Sequence, residues 1–220
     1  MTAELGHAHL RMNVASARLG PPQPALLAPG CLGPGPFPAG RGAGVSVELT
    51  IHPEHRERFY AMYLDLFAPL RTKAPARQVL HRHEFFDEMA DPRVLKYVAW
   101  NALGEPVALS TLTADLTTVP WISAEFFAAR YPEHYARQAV YYWGFAVAQG
   151  DRHTTFPFRQ ILVAIITKMV REKAVCAYDI CGFNNVQLRF AAHLQSVGGR
   201  FVNTTAEVLD TQTYYGAAFD

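Results

Sequence analysis

Long apolar runs are missing from this sequence; none reaches the length that spans a bilayer, so no membrane-crossing helix is expected. An excess of one charge is missing too. Twenty basic against 19 acidic residues leave a net charge of +1, with no long basic run. That removes the electrostatic case for a nucleic-acid or anionic-membrane partner. Cysteine is scarce, with three residues at 31, 176 and 181. Cys176 and Cys181 lie five apart on a predicted strand and point to opposite faces, so they cannot pair there. The expectation is a reduced, cytoplasmic protein. His81 and His83 alternate, but no carboxylate–histidine cluster stands at ligand spacing, and no metal is expected. Ala25-Leu26-Leu27-Ala28 ahead of Cys31 has the outline of a lipoprotein signal, yet Pro21, Pro22, Pro24 and Pro29 interrupt it, which rejects that reading.

Proline is unevenly spread. Residues 1–43 hold seven of the fifteen prolines and no sustained period. They read as a disordered Pro/Gly-rich leader, or as sequence upstream of a later true start. Residues 44–220 read as one domain, since half of the chain is apolar and supplies a substantial core. Deleting residues 1–43 is therefore expected to leave the thermal midpoint nearly unchanged. A calorimetric drop of more than about 4–8 °C would show that the leader packs on the fold.

The strongest pattern runs from Ala139 to Lys173: an apolar strand, a short polar turn and a helix. The helix carries Ile161, Leu162, Ile165, Ile166, Met169 and Val170 on one stripe, with Gln160, Thr167, Lys168, Arg171 and Glu172 opposite. Before it come a strand at Val45–Ile51 and a helix opened by Pro53, with Phe59, Met62, Tyr63, Leu66, Phe67 and Leu70 on its apolar face. A short helix follows at Arg82–Met89, then a hairpin of Arg93–Asn101 and Pro106–Thr117. Ser123 is an N-cap candidate for a helix bearing Phe126, Phe127 and Tyr131. After the central unit come a strand at Ala174–Cys181, a helix at Asn185–Val197 stopped by Gly198-Gly199, and strands at Arg200–Thr204 and Leu209–Gly216. The predicted fold is α/β (α+β), with a mixed, mostly antiparallel sheet of about seven strands flanked by helices.

Several stretches together resemble the GCN5-related N-acetyltransferase superfamily from about Val45 onward. They are the Leu103-Gly104 hairpin, Gly144-Phe145-Ala146-Val147 closing the central strand, and Asp179-Ile180-Cys181 followed by Asn184-Asn185 and a helix ending in Gly198-Gly199-Arg200-Phe201. The resemblance implies that the central strand splays from the next one and that a pantetheine arm inserts between them. It also implies that the following helix start holds the pyrophosphate of acetyl-CoA. Main-chain N–H groups of Phe145, Ala146 and Val147 would polarise the thioester carbonyl. Arg152, His153, Thr154, Thr155, Phe158, Arg159 and Asn185 would hold the rest of the donor. The family's Gln/Arg-x-x-Gly-x-Gly/Ala loop corresponds here to Arg152–Arg159, which has no glycine. Phe156 and Phe158 are bulky and Pro157 lacks an N–H. Arg152 and Arg159 offer charged donors instead. The family's acid, a tyrosine in the last helix, falls at Leu194, so His193, Tyr215 and Tyr142 are the catalytic candidates.

For substrate binding the candidates are Asp115, Trp121, Tyr141 and Cys181. Each has a plainer reading beside it: Asp115 as a strand-end or turn aspartate, Cys181 as a small buried side chain, the aromatics as core. Asp179 lies within an apolar strand and needs a partner. The reading drawn is an acyltransferase moving an acetyl or longer acyl group to a small-molecule amine. Its donor would be acyl-CoA, or a phosphopantetheine thioester on an acyl carrier protein, and a homodimer stays open. The alternative is a silent relative that binds a ligand or a protein.

Overall fold

The computed structural model describes residues 44–149, 155–189 and 206–218, together with 191, 192, 195, 196 and 199. The leader, Arg152, His153, Thr154, His193 and the strand expected at 200–204 lie outside the described residues.

The described chain runs β1 (Gly44–Glu48), α1 (Pro53–Phe67), α2 (Arg82–Ala90), β2 (Val94–Trp100), β3 (Pro106–Thr113), α3 (Ala124–Arg130), α4 (Pro132–Ala136), β4 (Val140–Ala148), α5 (Thr155–Arg171), β5 (Val175–Ala177) and α6 (Gly182–Leu188). Among the described residues the strands form one five-stranded sheet in sequence order. All neighbours are antiparallel except β4 and β5, which are parallel across α5. Of the about seven strands expected, five are found among the described residues. Leu209–Gly216 carries no strand; its segment lies along α3 instead. There Glu207 accepts from Arg130 at 3.0 Å and from the Tyr131 hydroxyl at 2.8 Å, and Leu209 packs against the cluster under α3. The strand expected to reach Thr117 stops at Thr113, because Asp115 caps a 3-10 turn over Leu116–Thr118.

The α5 stripe packs as its period predicts up to Met169, while Val170 is exposed. Ile161, Leu162 and Ile165 are buried against Tyr97, Ala99, Ala108, Leu112, Tyr141 and Trp143 on one face of the sheet. Burial of side chains this size is worth roughly 1.5–3 kcal/mol each. The opposite face is divided. Under α1 and α2 sits a cluster of Phe59, Tyr63, Phe85, Met89, Val98, Leu109, Phe145 and Val147; under α3 sits a separate one with Leu116, Val119, Phe127, Val140, Tyr142 and Ala177. Two cores on one face leave a seam between them, and β4 crosses it between Tyr142 and Phe145.

Local contacts fix α2 over that seam. Glu84 reaches back to accept the His81 N–H at 2.7 Å, closing the helix start. Its carboxyl is held down at about 2, chiefly by the Arg77 hydrogen bond. The Tyr63 hydroxyl accepts the Leu80 N–H at 3.0 Å and donates to the Gln78 carbonyl at 3.2 Å, anchoring the approach to α2 on α1. No helix among the described residues is long and apolar enough to cross a membrane.

Candidate active site

β4 is paired with β5 only from Val140 to Tyr142, against Val175 to Ala177. It then runs on to Ala148 with β3 on one side and, among the described residues, no strand on the other. Hydrogen-bond directions along it follow from two contacts. The Val175 N–H donates to the Ala139 carbonyl at 2.9 Å, so odd-numbered residues at the start of β4 face β5. The Gln149 N–H donates to the Val107 carbonyl at 2.8 Å, so odd-numbered residues at its end face β3.

The phase flips at a bulge, where the β3–β4 register shifts between Ser110 and Leu112 and Gly144-Phe145 oppose Thr111. The Phe145 N–H points to the Thr111 hydroxyl at 3.4 Å, and its carbonyl accepts from Ser110 Oγ at 2.8 Å. Trp143 and Ala146 thus turn their main-chain groups to the open edge. Of the three expected donors, Ala146 faces that edge, while Phe145 and, by alternation, Val147 face β3. Trp143 was not anticipated.

The bulge also opens the floor of the seam. Gly144 is exposed, although Trp143 and Phe145 on either side are buried. A Cβ at Gly144 would lie 2.6 Å from Thr111 Oγ1 and 3.8 Å from Glu88 Oε1. Glu88 comes from α2. Burial pushes its carboxyl up, while a hydrogen bond from Thr111 and the Lys96 charge pull the other way. Lys96 stands opposite Thr111 in the β2–β3 register and is fully buried. Its Nζ donates to the carbonyls of Leu49 at 2.9 Å and Asp91 at 2.5 Å. Burial depresses this ammonium to about 8.

Across the seam, the buried Tyr142 hydroxyl donates to Asp179, just past the end of β5, and accepts the Trp121 indole N–H at 2.9 Å. Burial, then the Asp179 charge, push the phenol far up, so it stays neutral. Trp121 is 56% exposed and Asp179 is exposed, which puts an aromatic face and a carboxylate at the point where β4 and β5 part. Asp179, placed between structural pairing and function by its sequence context, has its partner here.

Other candidates fall elsewhere. Tyr141 points to the α5 face and donates to Glu172 at 2.6 Å. Burial opposes ionisation of Glu172, but hydrogen bonds from Lys168, Tyr141 and Arg171 hold it down at about 2. That is a strand-to-helix tie remote from the seam. Asp115 accepts from the Thr117 N–H at 3.1 Å and its hydroxyl at 2.6 Å, the plainer turn-capping reading. Cys181 precedes α6, where its carbonyl accepts the Asn185 N–H at 3.0 Å. Tyr215 is 93% exposed in a segment without regular structure. At the start of α5, Thr155 opens the helix, Arg159 and Phe156 are exposed, and Phe158 packs against the core. Glu88, Thr111 and Gly144 were missed by sequence reasoning. The signal for them was a lone glycine among bulky strand residues, which marks a bulge or a close approach.

No protein-family model matches the chain, and no curated protein is significantly similar to it. Solved structures do match its path. One is an aminoglycoside acetyltransferase from an uncultured soil metagenomic sample, in complex with sisomicin. It is 12% identical, with 79% of this chain and 97% of that one covered and a TM-score of 0.41. An aminoglycoside 6'-N-acetyltransferase from Acinetobacter baumannii is 12% identical, with 79% and 100% covered and a TM-score of 0.42. An aminoglycoside N-acetyltransferase in complex with CoA is 12% identical, with 79% and 97% covered and a TM-score of 0.41. All three are acetyltransferases. At such identity and TM-score the likeness gives no residue a role.

Proposed function

We propose that the chain is a divergent GCN5-related N-acyltransferase that moves an acetyl or longer acyl group from a pantetheine thioester to the amine of a small molecule. The observation that carries this reading is the fork. β4 leaves β5 after Tyr142, and its edge, which has no strand partner among the described residues, lies beside the one exposed position of the strand, Gly144. A pantetheine arm is an extended chain of amides and suits an unpaired strand edge. With the arm laid along Trp143–Ala148, the Ala146 N–H is available to polarise the thioester carbonyl, as an oxyanion donor does. The seam over Gly144 gives an acceptor its own approach, from the face opposite α5, past Trp121 and Asp179. An amine nitrogen then attacks the carbonyl carbon as the carbon–sulfur bond breaks, leaving an amide and a thiol.

The start of α5 suits a phosphate less well than the family's loop, because Pro157 lacks an N–H and no glycine lets the backbone approach. This observation favours two further readings: a carrier-bound donor, which brings one phosphate and no diphosphate, or a silent fold. Arg159, exposed in the first turns of α5, is the described side chain suited to hold a donor phosphate. Arg159→Ala is expected to weaken CoA binding about tenfold, from a charge-assisted bond of roughly 1.5–3 kcal/mol. Unchanged calorimetric affinity would reject that role. The deciding experiment is mass-spectrometric detection of acyl transfer from acetyl-CoA, longer acyl-CoAs and acyl carrier protein to a panel of amines. Transfer from one donor supports the enzyme; thioester left intact with every amine supports the silent fold.

A further inference from the structure

We propose that Glu88 is the general base of this transfer, a carboxylate delivered to the bulge of β4 from helix α2 rather than from β4 itself. The inference rests on the acyl-transfer reading and deepens it. Four observations converge on it. Gly144 is exposed where its neighbours in β4 are buried, so the seam opens onto that backbone. Glu88 Oε1 stands 3.8 Å from the place a Gly144 side chain would occupy, so the missing side chain leaves this carboxyl room beside the opening. Thr111, which lies opposite Gly144 on β3, places its Oγ1 2.6 Å from the same point, and its hydroxyl lowers the Glu88 carboxyl. Glu88 also sits on the inward stripe of α2 with Phe85 and Met89, where a carboxylate costs stability and is retained only against a return.

The proton balance is simple. An amine reaches the seam as its free base; its lone pair forms the new bond to the thioester carbon and the nitrogen becomes positive. Glu88 takes the surplus proton from that nitrogen. The bonding pair of the broken carbon–sulfur bond leaves on sulfur, and the thiolate collects a proton from water. Glu88 returns its own proton to solvent through the open seam. The groups that set its titration are Lys96 on β2, Asp91 at the end of α2 and Tyr63 on α1, with the Thr111 hydroxyl on β3. No titratable side chain of β4 occupies the bulge, which consists of Gly144 and Phe145. Burial raises the carboxyl, which makes its ionised form a stronger base.

The test compares full-length wild type with Glu88→Gln, which keeps the shape but cannot take a proton. Turnover is measured against pH with two acceptors of different amine pKa, so that a limb that stays put belongs to the protein. The expected result is a loss of about 10²–10⁴ in kcat/KM and disappearance of that fixed acid limb. Donor affinity and thermal midpoint should be unchanged or raised, since a buried charge has been removed. Glu88→Asp should keep the limb at reduced kcat. If Glu88→Gln lowers the midpoint instead, a properly folded Glu88→Asp decides, and loss of its limb overturns the role. Turnover within about threefold of wild type in folded Glu88→Gln, with the limb intact, overturns the base and leaves acyl transfer standing. Failure of wild type to consume any donor overturns acyl transfer and the base together.

Discussion

Alanine at position 144 is expected to reduce kcat/KM by about a hundredfold or more, on the order of what a 1 Å displacement of reacting groups costs. The added methyl would stand 2.6 Å from Thr111 Oγ1, closer than real side chains approach, and would project into the seam. Thr111 is buried and β-branched, so it cannot turn aside without moving its hydroxyl off the Phe145 N–H. Overpacking of this kind costs typically 1–3 kcal/mol. A second variant separates the two effects. Thr111→Ala combined with Gly144→Ala relieves the clash and should recover much of the stability, measured by urea unfolding. It should not recover turnover, because the floor stays filled. A folded Gly144→Ala protein with wild-type kinetics would mean that chemistry does not take place over this bulge.

Most of the frame was legible because it follows from local period. The stripes of α1 and α5 contain enough repeats for their buried faces to be read directly, and both pack as read except at Val170, which is exposed. The β2–β3 hairpin was legible from the Leu103-Gly104 turn, where Gly104 takes φ 76°. The strand expected at Leu209–Gly216 was not. Val208, Leu209, Tyr214 and Tyr215 suggest a strand, but β preference depends on what a segment packs against. Val208 and Tyr215 are largely exposed here, while Glu207 and Leu209 attach the segment to α3.

The candidate site was legible in part, and its gaps have a common physical cause. The fork at β4 and β5 was expected from the family resemblance. Phe145 and Val147 turn to β3 rather than to the edge because a bulge reverses which residues face which neighbour, and no spacing rule locates a bulge. Glu88 and Lys96 went unnoticed although each breaks a pattern. Glu88 falls on the Phe85–Met89 stripe, and Lys96 alternates with Val94 and Val98 on the inward side of β2. A charge at a core position is the mark to look for. Aromatic density drew attention to Tyr141 instead, which is a structural tie to α5.

Lys96 leads to the remaining expectation, a rise of folding stability with pH that depends on this one side chain. Its ammonium titrates near 8 in the folded protein, against 10.5 for an ordinary lysine. Below pH 8 both folded and unfolded chains hold the proton, and the penalty for burying the charge is fully present. Between pH 8 and 10.5 the folded protein has released it while the unfolded chain still binds it. Stability therefore climbs through that window, by about 1.4 kcal/mol per unit at most and roughly 3–3.5 kcal/mol in all. Other groups run against it. Cys176 is pushed up to about 12 by burial, and so is Tyr63, so the unfolded chain loses those protons first and stability falls as they ionise. The contribution of Lys96 is thus read from the difference between wild type and Lys96→Met, in which the opposing groups cancel. Methionine keeps the stem but leaves the Leu49 and Asp91 carbonyls without this donor. Urea unfolding at intervals from pH 7.5 to 10.5 should show the variant falling progressively further behind wild type. Parallel curves over that range would mean that the buried ammonium titrates as an ordinary lysine.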